Sequence, residues 1–188
     1  DIAPTLPMLE AVYADLQQLP AIRVRLRARP SDAGTWSAAA PPEAVRVPHT
    51  THLLDLTPGF AALQSISFSK STRRNLRLAK RAGLTAMPED TGAAVETFYR
   101  LYLDWSRVRA RRRHLPTGLV TAMARRREPE AKIAEVTSRL GEAARIWVVR
   151  DQGTPVAAAI GLHHGRTAIH WRAASLRPTP SSKYANVL

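Results

Sequence analysis

Cysteine is absent from the 188 residues. This excludes a disulfide framework and a thiolate zinc site, and it is compatible with a reducing compartment. No apolar run approaches the roughly 18 residues that a membrane-spanning helix needs. The N-terminus lacks the charged start and apolar middle of a secretory signal. The expectation is a cytoplasmic protein with no stable membrane insertion. Several strong signatures are also missing: a GxxxxGK[ST] phosphate loop, a GxGxxG turn, HExxH and GxSxG. Carboxylates are scarce, and Glu96, Asp104, Asp55 and Asp151 form no pair of the kind used for glycoside hydrolysis. The histidine clusters, His49 with His52 and the adjacent His163 and His164, have no acidic or thiol neighbour at ligand spacing, so no metal site is expected.

Cations are plentiful. The net charge is +13, and almost all of it is arginine, since lysine occurs only at Lys70, Lys80, Lys132 and Lys183. Such a balance suits a phosphate-bearing partner. An Arg-, Ala- and Pro-rich composition is also what GC-rich coding produces, and net charge speaks to association, not to fold. The partner is therefore left open between an anionic ligand and water.

In chain order, Leu9, Val12, Tyr13, Leu16 and Leu19 recur at helical spacing up to Pro20. Ile22, Val24 and Leu26 then alternate with Arg23, Arg25 and Arg27, which predicts a half-buried edge strand with a basic outer side. The stretch from Pro30 to Pro42 reads as a short helical turn and loop anchored by Trp36, and His52 to Leu56 as a short buried strand. Thr57-Pro58 is a helix start with the threonine as cap, followed by Phe60, Leu63 and Ile66 on one face. In KSTRRNLRLAKRAG, Ser71 or Thr72 can cap and Gly83 supplies the stop. Arg73, Arg77, Lys80 and Arg81 share one side with Arg74 beside them, opposite Leu76, Leu78, Ala79 and Ala82. The longest predicted helix lies between Thr91 and Pro116, with Val95, Phe98, Leu101, Tyr102, Trp105 and Val108 on its apolar stripe. A helix through Leu119 and Met123 follows. Another opens at Pro129, with Ile133, Val136 and Leu140 inward and Gly141 as stop.

The most strand-like stretch is Arg145 to Ser175. Three apolar runs, divided by Asp151-Gln-Gly-Thr154 and by Gly165-Arg166, predict a three-stranded antiparallel meander. A two-residue loop at Gly165-Arg166 pairs His164 with Thr167, and regular counting sets Leu162 against Ile169 and Ile160 against Trp171. On the opposite face, Ala157, Ala159 and Gly161 lie across from His170, Arg172 and Ala174. A polar pair above small residues is either a cleft or a solvated face. After the Pro- and Ser-rich loop from Leu176 to Ser182, Ser181 or Ser182 can cap a last helix beginning at Lys183, Tyr184 and Asn186.

The succession HLLDL, KSTRRNLRLAKRAGL, FYRLYLDW, GTPVAAAIGLHHGRTAIHWRAAS and SSKYANVL resembles the FemAB-like branch of the GNAT acyltransferases, with its peptidoglycan-bridge and BioF-like members, over roughly Leu53 to Leu188. The resemblance implies an α+β fold: a GNAT-like mixed, mostly antiparallel sheet flanked by helices, incomplete at the C-terminus, with more chain expected beyond Leu188. Residues 1–57 would end a first GNAT-like half, 58–84 would be basic connecting helices, and 85–188 would belong to a second half. In such a sheet two strands splay so that backbone groups hold the donor.

The implied activity is transfer of an acyl or aminoacyl group, from a thioester such as acyl-CoA or from an aminoacyl-tRNA, to an amine on a cell-envelope precursor or related metabolite. No metal is called for. The partners would be a phosphate-bearing donor, tRNA among them, and an amine acceptor; the oligomeric state is left open. The amine must lose a proton and the tetrahedral oxyanion needs donors. Under this resemblance His170 is the candidate proton acceptor and Arg172 positions a carboxylate or phosphate. Lys183, Tyr184 and Asn186 sit at the donor-binding helix start, and Arg73, Arg74 and Arg77 contact phosphates. The loop LRPTPSSK departs from the glycine-rich Q/R-x-x-G-x-G/A of acetyl-CoA GNATs. The alternative reading is a noncatalytic basic module that binds RNA or an anionic surface.

Overall fold

The structure, a computed structural model, describes residues 3–89, 91–176 and 180–187. The expected loop after Leu176 therefore lies partly outside the described residues, as does Leu188. The chain divides into two compact units, Asp1–Thr57 and Pro58–Leu188.

In the first unit, α1 (Leu6–Gln17) begins with a proline in its first turn and packs on α2 (Ala33–Ala39). Leu9 and Ala39 are buried there. The Tyr13 and Trp36 rings meet edge to face at 5.9 Å, and the Tyr13 hydroxyl donates to the Trp36 carbonyl at 3.3 Å. Neither expected strand forms. Ile22 to Leu26 and His52 to Leu56 run as irregular chain with their apolar side chains exposed. Alternation is only half of what a strand requires, because its backbone groups must also pair, and the described residues of this unit supply no neighbouring strand.

The second unit opens with α3 (Gly59–Ile66). Thr57 does not cap it: the Thr57 N–H and hydroxyl both donate to Asp55 Oδ1, at 3.0 and 2.7 Å, and hold that carboxyl below its usual pKa. Of the expected apolar face only Leu63 is buried; Phe60 and Ile66 are exposed. In α4 (Lys70–Arg81) the cap is Ser69, whose Oγ accepts from the Thr72 N–H at 3.1 Å, two residues before the first expected cap. Leu76 and Ala79 face inward, and Gly83, at φ 73°, ends the helix. The chain then forms β1 (Thr85–Glu89), a strand that periodicity does not announce because it is short and contains Pro88.

The helix α5 (Thr91–Arg112) crosses one face of the sheet. Ala94, Val95, Phe98 and Leu101 are buried; Tyr102 is half-buried and Trp105 marks the edge of the stripe. Helices α6 (Thr117–Arg127) and α7 (Glu130–Leu140) brace α5. In α7 the expected inward Leu140 is exposed, while Thr137 is buried and its hydroxyl donates to the Ile133 carbonyl at 2.9 Å. A polar side chain is tolerated in the core because the helix itself satisfies it.

Strands β2 (Ala144–Asp151), β3 (Thr154–His164) and β4 (Thr167–Ser175) form the meander, and β1 joins β2, giving a four-stranded antiparallel sheet in the order β1-β2-β3-β4. The β2–β3 loop is Gln152-Gly153. Both residues have positive φ, 48° and 82°, as the right-handed twist of a two-residue hairpin demands. One face of the sheet, built from Ile146, Val148, Ala158, Ile160 and Ala174, packs on α5. Each fully buried large side chain there contributes on the order of 1.5–3 kcal/mol. On the other face, the described residues of this unit cover one end. There Val149, Val156 and Ala157 pack with Leu84, Ala79 of α4 and Ala185 of the 3₁₀ helix Ser182–Val187.

Candidate active site

The site is governed by an irregularity in β4. Pairing of β3 with β4 starts as counted from the Gly165-Arg166 turn: His164 with Thr167, Leu162 with Ile169, Gly161 with His170. It then slips by one residue, so that Ile160 pairs with Arg172, Ala159 with Ala173 and Ala158 with Ala174. Trp171 is the extra residue of a β-bulge. The expected pairing of Ile160 with Trp171 is thus wrong, and so is the expected common face for His170 and Arg172. A one-residue slip exchanges the faces of everything beyond it.

His170 stays on the face of Gly161, exposed, above a floor of Ala159, Gly161 and Ala173. A methyl group at Gly161 would come no nearer to the surrounding structure than 4.0 Å, from the Arg145 carbonyl oxygen, so the floor is open by choice of side chain and not by crowding. Arg172 lies on the α5 face with Ile160. Its Nη2 donates to Glu128 Oε1 at 2.6 Å, its Nη1 donates to the Trp171 carbonyl at 2.9 Å, and its guanidinium carbon sits 5.1 Å from the Trp171 ring centroid. It is engaged within the protein, not presented with His170.

Glu128, only 7% exposed, stands between α6 and α7 and receives Lys132 Nζ on Oε2 at 3.3 Å. Burial by itself raises its pKa, but the hydrogen bonds and charges of Arg172 and Lys132 outweigh that and hold the carboxyl below its usual value. Burial, then the negative charge of Glu128, pushes the neighbouring Tyr102 hydroxyl up. Sequence reasoning missed Glu128. Its trace in the sequence is an acid set between Arg127 and Pro129, at a break between two helices.

The donor candidates fall on two packed elements. The 3₁₀ helix Ser182–Val187 packs against α4. Lys183 is exposed with Nζ 4.9 Å from the Tyr184 ring centroid; Tyr184 is half-buried, and Asn186 is exposed. Ser181 Oγ donates to Asp151 Oδ2 at 2.6 Å, tying the start of this segment to the end of β2. On α4, Arg74 and Arg77 are exposed, and Arg73 is half-buried with Nη1 donating to the Ser65 carbonyl at 2.6 Å. Among the described residues no carboxylate pairs with Lys70, Arg73, Arg74, Arg77, Lys80 or Arg81. The α4 and 3₁₀ elements meet through Ala79 and Ala185, on the inner side of α4.

An antiparallel sheet whose edge strand is bulged, backed by one long helix and flanked by a second, basic one, agrees with the sequence model of the Acetyltransferase (GNAT) domain, which matches residues 67–184, more than half of the chain. The chain belongs to the GNAT acetyltransferase family. No curated protein resembles it closely enough to count as a match. As a GNAT domain it is an N-acyltransferase: its donor substrate is an acyl-CoA and its acceptor an amine. The residues present fit such a donor. Among the described residues no strand pairs with β4 on the side away from β3, so backbone N–H and C=O groups there can pair with the amides of an extended ligand, and the α4 cations, without carboxylate partners among the described residues, suit phosphates. Among the described residues no helix is long and apolar enough to cross a membrane, and no cluster of side chains could hold a metal ion.

Proposed function

We propose that this GNAT domain holds its acyl-CoA along the side of β4 that faces away from β3 and acylates an amine above the floor formed by Ala159, Gly161 and Ala173. The observation that carries this reading is the bulged edge strand with a bare, small-residue face beside it. His170 accepts the proton that the attacking ammonium must lose, since an imidazole is suited to that task near neutral pH. The amine nitrogen then forms a bond to the thioester carbonyl carbon, the carbon–sulfur bond breaks, and the second proton that the nitrogen sheds passes to the leaving thiolate, so that CoA departs as the thiol. Lys183, Tyr184 and Asn186 of the 3₁₀ helix contact the donor, and Arg73, Arg74 and Arg77 of α4 contact phosphates. Arg172 acts on substrate only through the shape of β4, because its own donors are occupied.

The finer reading is a FemAB-like enzyme that acts on an amine of a cell-envelope precursor. In it, residues 1–57 end a first GNAT-like half, 58–84 connect, and 85–188 form the second half. Acyl-CoA and aminoacyl-tRNA then compete as donor classes. The test is release of free thiol from acetyl-CoA and longer acyl-CoAs in the presence of amino sugars, amino acids and UDP-linked peptides, run beside transfer from charged tRNA. Amine-dependent thiol release that His170→Gln reduces about 100-fold supports the reading. No turnover and no thermal stabilisation by any CoA thioester overturns it. The α4 cations, which have no carboxylate partner among the described residues, favour a second reading, a noncatalytic polyanion-binding module. Tight RNA binding that survives moderate salt, without acyl transfer, would select it.

A further inference from the structure

We infer that Glu128 is a positioning residue: acting through Arg172, it sets the bulge of β4 and thereby selects which backbone groups of that strand face the donor. The inference rests on the reading that acyl-CoA lies along the side of β4 away from β3.

The extra residue of the bulge, Trp171, leaves its carbonyl accepting from the side chain of the next residue, Arg172, at 2.9 Å. That side chain is in turn fixed at its other nitrogen by Glu128, a residue 44 positions away on a different layer of the fold. Lys132 occupies the second carboxylate oxygen, so neither oxygen of this nearly buried acid is without a hydrogen bond. The guanidinium carbon lies over the Trp171 ring, 5.1 Å from its centroid, within cation–π range. One acid therefore orients one arginine, and that arginine holds both the carbonyl and the ring of the bulged residue.

The bulge decides more than local shape. Successive N–H and C=O groups in a strand point alternately toward the neighbouring strand and toward the free side. An inserted residue shifts that alternation for everything after it, so the groups offered at the outer edge from Arg172 to Ser175 depend on whether the bulge is present. Straightening β4 would also carry Arg172 to the face of Ala159 and break its bond to Glu128. The Glu128–Arg172 pair and the bulge thus select one another. The lowered pKa of Glu128 fits this, because the carboxylate is held in the charged form that the arginine needs.

Two variants of the full chain test the link, Glu128→Gln, which keeps the size and loses the charge, and Arg172→Lys, which cannot make both bonds at once. Backbone amide exchange over 168–175 and the acyl-CoA dependence of turnover are read together. The expected result for each variant is faster exchange in β4 with exchange in β2 unchanged. KM for acyl-CoA rises about tenfold, with little change in kcat. The double variant should be no worse than either single one, as for residues acting in series. If both variants show wild-type exchange over 168–175 and wild-type KM, even with a lowered melting temperature, Glu128 is a packing residue only and the inference fails. If the wild-type chain neither binds nor turns over any acyl-CoA, the placement of the donor at β4 fails instead, while the exchange data still decide whether Glu128 holds the bulge. Should Glu128→Gln not fold, Arg172→Lys alone carries the same two readouts.

Discussion

The two faces of the sheet are made from the same strands but are finished differently. Toward α5, Ile146, Val148, Ala158, Ile160 and Ala174 are buried, and the charged constellation of Glu128 with Arg172 and Lys132 is hydrogen-bonded at both carboxylate oxygens. On the reverse, burial stops at Val149, Val156 and Ala157; beyond them Ala159, Gly161 and Ala173 leave a shallow floor beside exposed His170 and Trp147. Stability and chemistry are thereby separated. The packed face fixes the strand geometry, and the bare face can present groups to a substrate without weakening the core.

Substitutions on the two faces should therefore fail in different ways. The largest effect belongs to the packed face: Ile160→Ala should cost about 3 kcal/mol in chemical denaturation, as a fully buried side chain replaced by a cavity does. A small loss would mean that the α5 face is looser than its burial indicates. On the bare face, His170→Gln should lower turnover about 100-fold and change stability by no more than about 0.5 kcal/mol, read by thiol release and by melting of the same samples. A stability loss without an activity loss would reverse the assignment of the two faces.

The pH dependence of stability sharpens the comparison from the packed side. The pKa of Glu128 in the folded chain lies below its unfolded value, so its contribution is complete above the ordinary glutamate range and is lost as pH falls through the folded value. Denaturation followed from pH 7 down to about 3 should show this loss, and Glu128→Gln should flatten that part of the profile. At neutral pH, Glu128→Gln should cost about 2 kcal/mol, between the values for exposed and fully buried pairs. The smallest effect is Gly161→Ala. It should raise stability by about 0.5 kcal/mol, because the methyl group has room and a strand glycine carries an entropic cost. It should also raise KM for the acceptor several-fold by filling the floor. Unchanged kinetics would remove Gly161 from the site.

Much of the architecture could be read locally. Helical spacing placed α4, α5 and α7, and the turn residues Gln152-Gly153 and Gly165-Arg166 placed the meander and its first pairs. Locality also misled. Arg-alternating Ile22, Val24 and Leu26 carry a strand's pattern without a strand's partner, whereas Thr85–Glu89 has a partner and almost no pattern. Of the site, His170 opposite Gly161 followed from the turn, because the register between them is regular. Arg172 did not follow, because the slip occurs one residue later and leaves no mark in composition.

The amino-acid sequence by itself determined the elements whose signal repeats along the chain: helices with an apolar stripe, hairpins with turn residues, and a basic face on α4. Only the tertiary structure decided which way β4 presents its side chains. A bulge is set by what packs against the strand, here Glu128 from the α6–α7 junction and the surface of α5, and no periodicity within nine residues of strand records a partner 44 positions away.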